Sequence, residues 1–310
     1  MKAYDNTAFL NSKTARSIRI MCELEETRER LAQNNVERTI LFFGTARAKS
    51  YADHAKAITI AEERIIKTTA DNDSDALAQC NSDLKRLKST AWLCRHFDDI
   101  TELSTKVTEW CLSLVDQTGM SVPFMVSTGG GPGLMEAANK GASQVPMGQS
   151  IGMGISLPFE EGLNPYVTPG LGFQFKYFFT RKFFMYVVFF RHHMSYFQYK
   201  PLLYLSILNL CKFTNRLNSC AAIIALPGGV GTMDELFEAL TLMQTGKISR
   251  MPIVLFGEKY WNDVVNWQTM VDYGTISQSD VDQLFFTNSV DEAYKYIVES
   301  LTSVLHKDKS

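Results

Sequence analysis

Apolar positions along this chain alternate between two patterns. Short runs with almost no polar interruption occur at Thr39-Ile40-Leu41-Phe42-Phe43, Phe124-Met125-Val126-Ser127, Ser150 to Leu157, Ala221 to Leu226 and Pro252-Ile253-Val254-Leu255-Phe256. A strand without polar alternation is buried on both faces, as in a parallel sheet covered by helices. Between the runs, apolar residues recur at helical spacing. Residues 13–36 carry Ile18, Ile20, Met21, Leu24 and Leu31 among many charges, which predicts an outer helix with solvated arginines. Residues 51–118 predict two or three helices, with Trp92, Leu93, Phe97, Leu103, Val107, Trp110, Leu114 and Val115 on their core face. Further helices are expected over 233–243, over Lys259 to Tyr273 and over about 290–305. This alternation predicts an α/β fold, a doubly wound parallel sheet with helices on both faces.

Two strands run into glycine turns followed by helices. Ala221 to Leu226 leads into Pro227-Gly228-Gly229-Val230-Gly231-Thr232 and the helix from Met233; Phe124 to Ser127 leads into Thr128-Gly129-Gly130-Gly131-Pro132-Gly133 and the helix from Leu134. Glycines let backbone N–H groups face into the turn, and a helix N-terminus adds positive dipole there. Glu235 is expected in the first helical turn, at the edge of the same site. Thr232-Met233-Asp234-Glu235 also reads as a capping box, so the second turn is open to a structural reading as well as an anion-binding one. Neither turn has the dinucleotide spacing, and no Gly-Lys-Ser/Thr closes a P-loop. Two such turns point to a mononucleotide or sugar phosphate held between them. Arg47, in the loop after the first strand, is a candidate anion contact or an exposed loop residue.

The aromatic run Phe173 to Phe179 predicts a short extra strand, and Thr180-Arg181-Lys182 then opens an apolar helix. Residues 183–220 hold two apolar runs split by Arg191-His192-His193, each too short to span a bilayer; a helical hairpin with Pro201 at its turn is expected. The adjacent histidines lack metal-ligand spacing, and Asp71 to Asp75 lacks the glycine and glutamate of a calcium loop. Of the 310 residues 45% are hydrophobic and 21% charged, and the net charge of −2 favours neither nucleic acid nor an anionic membrane as partner. Six cysteines without a Cys-x-x-Cys fit reduced thiols in a cytoplasmic protein. No apolar run follows the first basic residues, so no signal peptide is expected.

Phe43-Gly44-Thr45-Ala46-Arg47, the segment Thr128 to Ala138, Arg181-Lys182 and the segment Pro227 to Glu235 together resemble the LOG (Lonely Guy) family over about residues 39–300. Its members are phosphoribohydrolases of cytokinin riboside 5′-monophosphates and, in many bacterial members, of AMP and related nucleotides; such sequences also carry an older description as lysine decarboxylases. The resemblance implies a Rossmann-like core, a homodimer or higher assembly, and no metal or organic cofactor. It implies Arg181 and Glu235 as the catalytic pair. Lys182, Gly228, Gly229, Val230, Gly231, Thr232 and Thr241 would contact the nucleotide, with Gly130, Gly131 and Gly133 across the pocket. On this reading residues 1–38 are a helical extension and 39–310 one domain. The stretch from Arg181 to Pro227 is far longer than in such members, which implies a helical insertion within about 183–220. The expected function is hydrolysis of the N-glycosidic bond of a purine nucleoside 5′-monophosphate. A non-catalytic nucleotide or cofactor carrier, including one whose site the insertion has disturbed, remains the alternative; a pyridoxal-phosphate decarboxylase is disfavoured for want of a Ser-x-His-Lys element.

Overall fold

The computed structural model describes residues 2–71, 73–115, 122–156, 162–186 and 219–307. The hairpin expected within 183–220 therefore lies outside the described residues, apart from its first four and last two. Among the described residues seven strands form one wholly parallel sheet in the order β4-β3-β2-β1-β5-β6-β7. They are β1 (Arg38–Phe43), β2 (Met125–Thr128), β3 (Ser150–Ile155), β4 (Gly172–Phe175), β5 (Ser219–Ala225), β6 (Ile253–Phe256) and β7 (Leu284–Thr287). The described helices are α1 (Thr7–Leu10), α2 (Arg16–Gln33), α3 (Tyr51–Ala70), α4 (Ser74–Ser89), α5 (Leu93–Ser113) and α6 (Leu134–Ser143), then α7 (Phe178–Tyr186), α8 (Val230–Gln244), α9 (Glu258–Val264), α10 (Trp267–Asp272), α11 (Gln278–Val281) and α12 (Val290–Lys307).

The unbroken apolar runs have the reason the sequence implied. Leu41 and Phe43 of β1 and Ile223 and Ala225 of β5 enter one core, while Ile40, Phe42, Ala222 and Ile224 enter a second on the opposite face. All eight are 0% exposed, each side chain alternating across the pleat. The first core takes in Leu31 of α2, Leu236, Ala239 and Met243 of α8, and Trp261 of α9. The second takes in α5 through Phe97, Ile100, Leu103 and Val107, with Ala137 and Ala138 of α6 and Ile297 and Leu301 of α12. At about 1.5–3 kcal/mol per large apolar side chain, these two layers dominate the stability of the sheet.

Several expected elements are redrawn. The aromatic strand ends at Phe175, and Phe178 and Phe179 open α7 with more than half of their surface exposed. The helix expected over 259–273 is two helices, because Val265 is extended and the Asn266 side chain caps α10 by accepting from the Thr269 N–H. Strand β7 is not among the expected elements; four residues between the four-residue α11 and the 18-residue α12 carry too little periodicity to stand out. Trp92, expected in the core, is 46% exposed and stacks on Tyr260. Two arginines of α2 are engaged rather than solvated: Arg19 donates to the Leu10 and Ser12 carbonyls, and Arg30 to the Gly172 carbonyl; Arg16 is exposed as expected. Asp73, in the rejected calcium-loop segment, caps α4 by accepting from the Ala76 N–H. Among the described residues no helix is long and apolar enough to cross a membrane.

Strand order fixes where a ligand can sit. From β1 the chain winds outward through β2, β3 and β4, then returns to place β5 on the other side of β1. The direction of winding reverses between β1 and β5, and in open α/β sheets the ligand crevice lies at the carboxyl ends of the strands at such a reversal. The register brings Phe42 level with both Thr128 and Ile224. The loop after β1 and both glycine turns therefore leave the sheet side by side.

Candidate active site

The three loops are bolted together by main-chain hydrogen bonds. Thr45 donates its N–H to the Pro227 carbonyl at 2.9 Å and accepts with its own carbonyl from the Leu134 N–H at 3.0 Å. Gly133, at φ +75°, passes so close that a Cβ there would stand 2.4 Å from the Thr45 carbonyl oxygen. Only glycine combines that conformation with that approach.

The first turn is shaped by a buried polar network that sequence reasoning missed. Asn164 donates through Nδ2 to the Gly130 and Gly131 carbonyls at 3.2 and 3.0 Å and to Asn139 Oδ1 at 2.9 Å. Asn139, 0% exposed, accepts from Thr128 and donates to Ser150. Gly130 is at φ +71°, and a Cβ there would meet Leu163 at 2.5 Å. The available signal was an asparagine-proline-tyrosine segment, which by itself carries no address.

The second turn differs from its expected form. Helix α8 begins at Val230 with Gly229 as N-cap and no capping side chain. Thr232 is thus inside the helix, the capping box does not form, and Glu235 lies in the second turn rather than the first. Among the described residues no side chain caps the first-turn amides, the arrangement that suits an anion. Thr232 instead packs back on the turn, so that a Cβ on Gly228 would stand 2.0 Å from its Oγ1. Among the described residues nothing lies within 4 Å of a Cβ built on Gly229 or Gly231, and Val230 is 86% exposed. Tyr260 donates its hydroxyl to the Gly228 carbonyl, pinning the turn from the far side.

Between the turns stand Arg181 of α7 and Glu235 of α8. Arg181 Nη2 donates to Glu235 Oε1 in an ion pair 8% and 7% exposed. The same guanidinium borders the first turn: a Cβ on Gly129 would lie 3.4 Å from Arg181 Nη1. Among the described residues Arg181 Nε meets no acceptor, so the guanidinium retains donor capacity beyond its bond to Glu235. Burial pushes the Glu235 carboxyl above its ordinary pKa, with the charges of Arg181 and then Lys182 opposing the rise. Tyr186 donates its hydroxyl to the Glu235 carbonyl at 2.9 Å, tying α7 to α8 once more.

Lys182 and Thr241, both expected to contact the nucleotide, have partners within the chain. Lys182 spans to Asp234 at 2.7 Å and Glu238 at 2.6 Å, so its charge is matched within the α7–α8 seam. Thr241 is exposed six residues beyond Glu235 and donates to the Phe237 carbonyl. Arg47 is exposed in the loop after β1. Among the described residues no three His, Cys, Asp or Glu side chains gather into a metal site.

A family profile described as "Possible lysine decarboxylase" matches residues 208–297. That span holds the second glycine turn, Glu235 and strands β5 to β7, and supports the LOG-type family there; Arg181 and the first turn lie outside it. No curated protein sequence matches the chain.

Proposed function

We propose that the protein hydrolyses the N-glycosidic bond of a purine nucleoside 5′-monophosphate, releasing the free base and ribose 5-phosphate. The observation that carries this reading is the buried Arg181–Glu235 pair set against Gly129, at the reversal of the sheet and between two amide-rich turns. The phosphate sits on the turns, where a non-reacting group supplies the binding energy that positions the bond to be cut. As the C1′–N bond lengthens, its electron pair leaves on the purine and positive charge builds on the ribose. The Glu235 carboxylate, kept ionised against burial by Arg181, faces that charge and takes the proton of the water whose oxygen bonds to C1′. That proton then passes to the departing base or to solvent. Arg181 presents its remaining donors to the phosphate or to the developing negative charge on the base. The reading needs no metal or organic cofactor and places the protein in the cytoplasm as a homodimer or higher assembly.

Incubation with AMP, with a panel of other purine nucleoside monophosphates, and with adenosine as control tests it. Free adenine and ribose 5-phosphate from AMP, with adenosine left intact, is the expected result. Equal cleavage of adenosine removes the role given to the phosphate. Binding across the whole panel without product leaves a nucleotide carrier and overturns the hydrolase reading.

A further inference from the structure

Helix α2, in the amino-terminal extension, reaches the segment that carries Arg181. Glu23 accepts from the Lys176 backbone N–H at 2.8 Å through Oε1 and from the Thr180 hydroxyl at 2.5 Å through Oε2. Thr180 is 0% exposed and directly precedes Arg181. One carboxylate thus grips the residue two before α7 and a residue of its first turn. It also places negative charge at the positive end of that helix, where such charge is favourable. Two more α2 side chains hold the same stretch: Arg30 donates to the Gly172 carbonyl at 2.7 Å and lies 4.0 Å from the Phe173 ring centroid, and Arg16 lies 5.3 Å from that of Tyr177. From Gly172 to Thr180 the chain is therefore braced from one side by α2, while Arg181 itself is held on the other by Glu235.

We infer that Glu23 is a positioning residue for Arg181, and that the amino-terminal helix is a working part of the site rather than an appendage. The inference takes its catalytic meaning from the hydrolase reading above. Glu23 touches neither turn; it acts by fixing where α7 begins. Without it the Lys176 N–H loses its acceptor and the Thr180 hydroxyl falls back on the Tyr177 carbonyl, its other neighbour at 2.8 Å. The register of α7 against α8 then loosens where the guanidinium must meet Glu235 and Gly129.

The test uses the full chain and the substitutions Glu23→Ala and Glu23→Gln. Arginine modification by phenylglyoxal, read by peptide mass spectrometry, follows Arg181, with exposed Arg47 as internal reference. Glu23→Ala is expected to label faster at Arg181 and unchanged at Arg47. Glu23→Gln, which keeps an oxygen for the Lys176 N–H, should be intermediate. In the AMP assay kcat of Glu23→Ala should fall by about 10- to 100-fold, the scale of an ångström-sized misplacement, with KM little altered and Glu23→Gln partly restoring kcat. If Glu23→Ala loses its cooperative melting transition, the comparison is made on Glu23→Gln. Unchanged Arg181 labelling in a folded variant overturns the positioning role whatever the activity. Faster labelling in a protein that releases no adenine from any monophosphate upholds the brace and overturns the hydrolase reading alone.

Discussion

Glu235 has to satisfy two opposed demands. Burial drives its carboxyl toward the neutral form, and Arg181 pulls it back toward the charged one. A carboxylate that must be ionised to work loses activity as pH falls through its own pKa, so the acid limb of kcat/KM should lie above the range of an ordinary glutamate. Replacing Arg181 with methionine removes the largest opposing charge and should move that limb to still higher pH while lowering the rate; a pH series on both proteins checks the direction. Glu235→Gln should lower kcat by about 10²–10⁴-fold, the usual worth of a general base, with AMP binding retained by calorimetry. Asn164 acts on architecture instead. Asn164→Leu leaves the Gly130 and Gly131 carbonyls without their side-chain donor, at about 1–3 kcal/mol, measurable by urea unfolding.

At the scale of elements, the glycines of the second turn are not equally tolerant. Gly228→Ala drives a methyl group into Thr232 and should raise KM for the nucleotide. Gly229→Ala, with no described atom within 4 Å of the added methyl and an ordinary φ of −89°, should leave KM within about twofold. Steady-state kinetics on the pair separates a turn that works through its shape from one needing small residues throughout. Both turns were legible in the chain because their signal is local: an apolar run, closely spaced glycines, then a helical stripe. Glu235 was legible too, but misplaced by one turn of helix, because Thr232 resembled a cap whereas Gly229 is the one that forms. What could not be read were the contacts between distant segments. Glu23 meets Lys176 across 153 positions and Asn164 meets Gly130 across 34. A lone glutamate in a charged helix and a lone asparagine in a loop look like solvated residues until the fold supplies their partners. Lys182 suggested a ligand contact by its place beside Arg181; that its position on α7 also brings it to Asp234 and Glu238 could not be read from the chain.

For the whole molecule, the sheet order makes a positional prediction. A crystal soaked with AMP should show the phosphate at the carboxyl ends of β1 and β5, against the amides of Gly229 to Gly231, with the ribose toward Glu235. Density lodged at the outer edge of β4 or β7 would contradict the site. The net charge of −2 adds a second expectation: the protein should pass unretained through a heparin column at moderate salt.

Thr45 joins the two rims of the crevice through its peptide atoms alone, giving its N–H to Pro227 and its carbonyl to Leu134. The width of the opening is therefore a main-chain dimension, like the gap of a fixed gauge. Exchanging the Thr45 side chain alters what lines the crevice without resizing it. Enlarging Gly133, the neighbour pressed against that same peptide, would wedge the gauge itself.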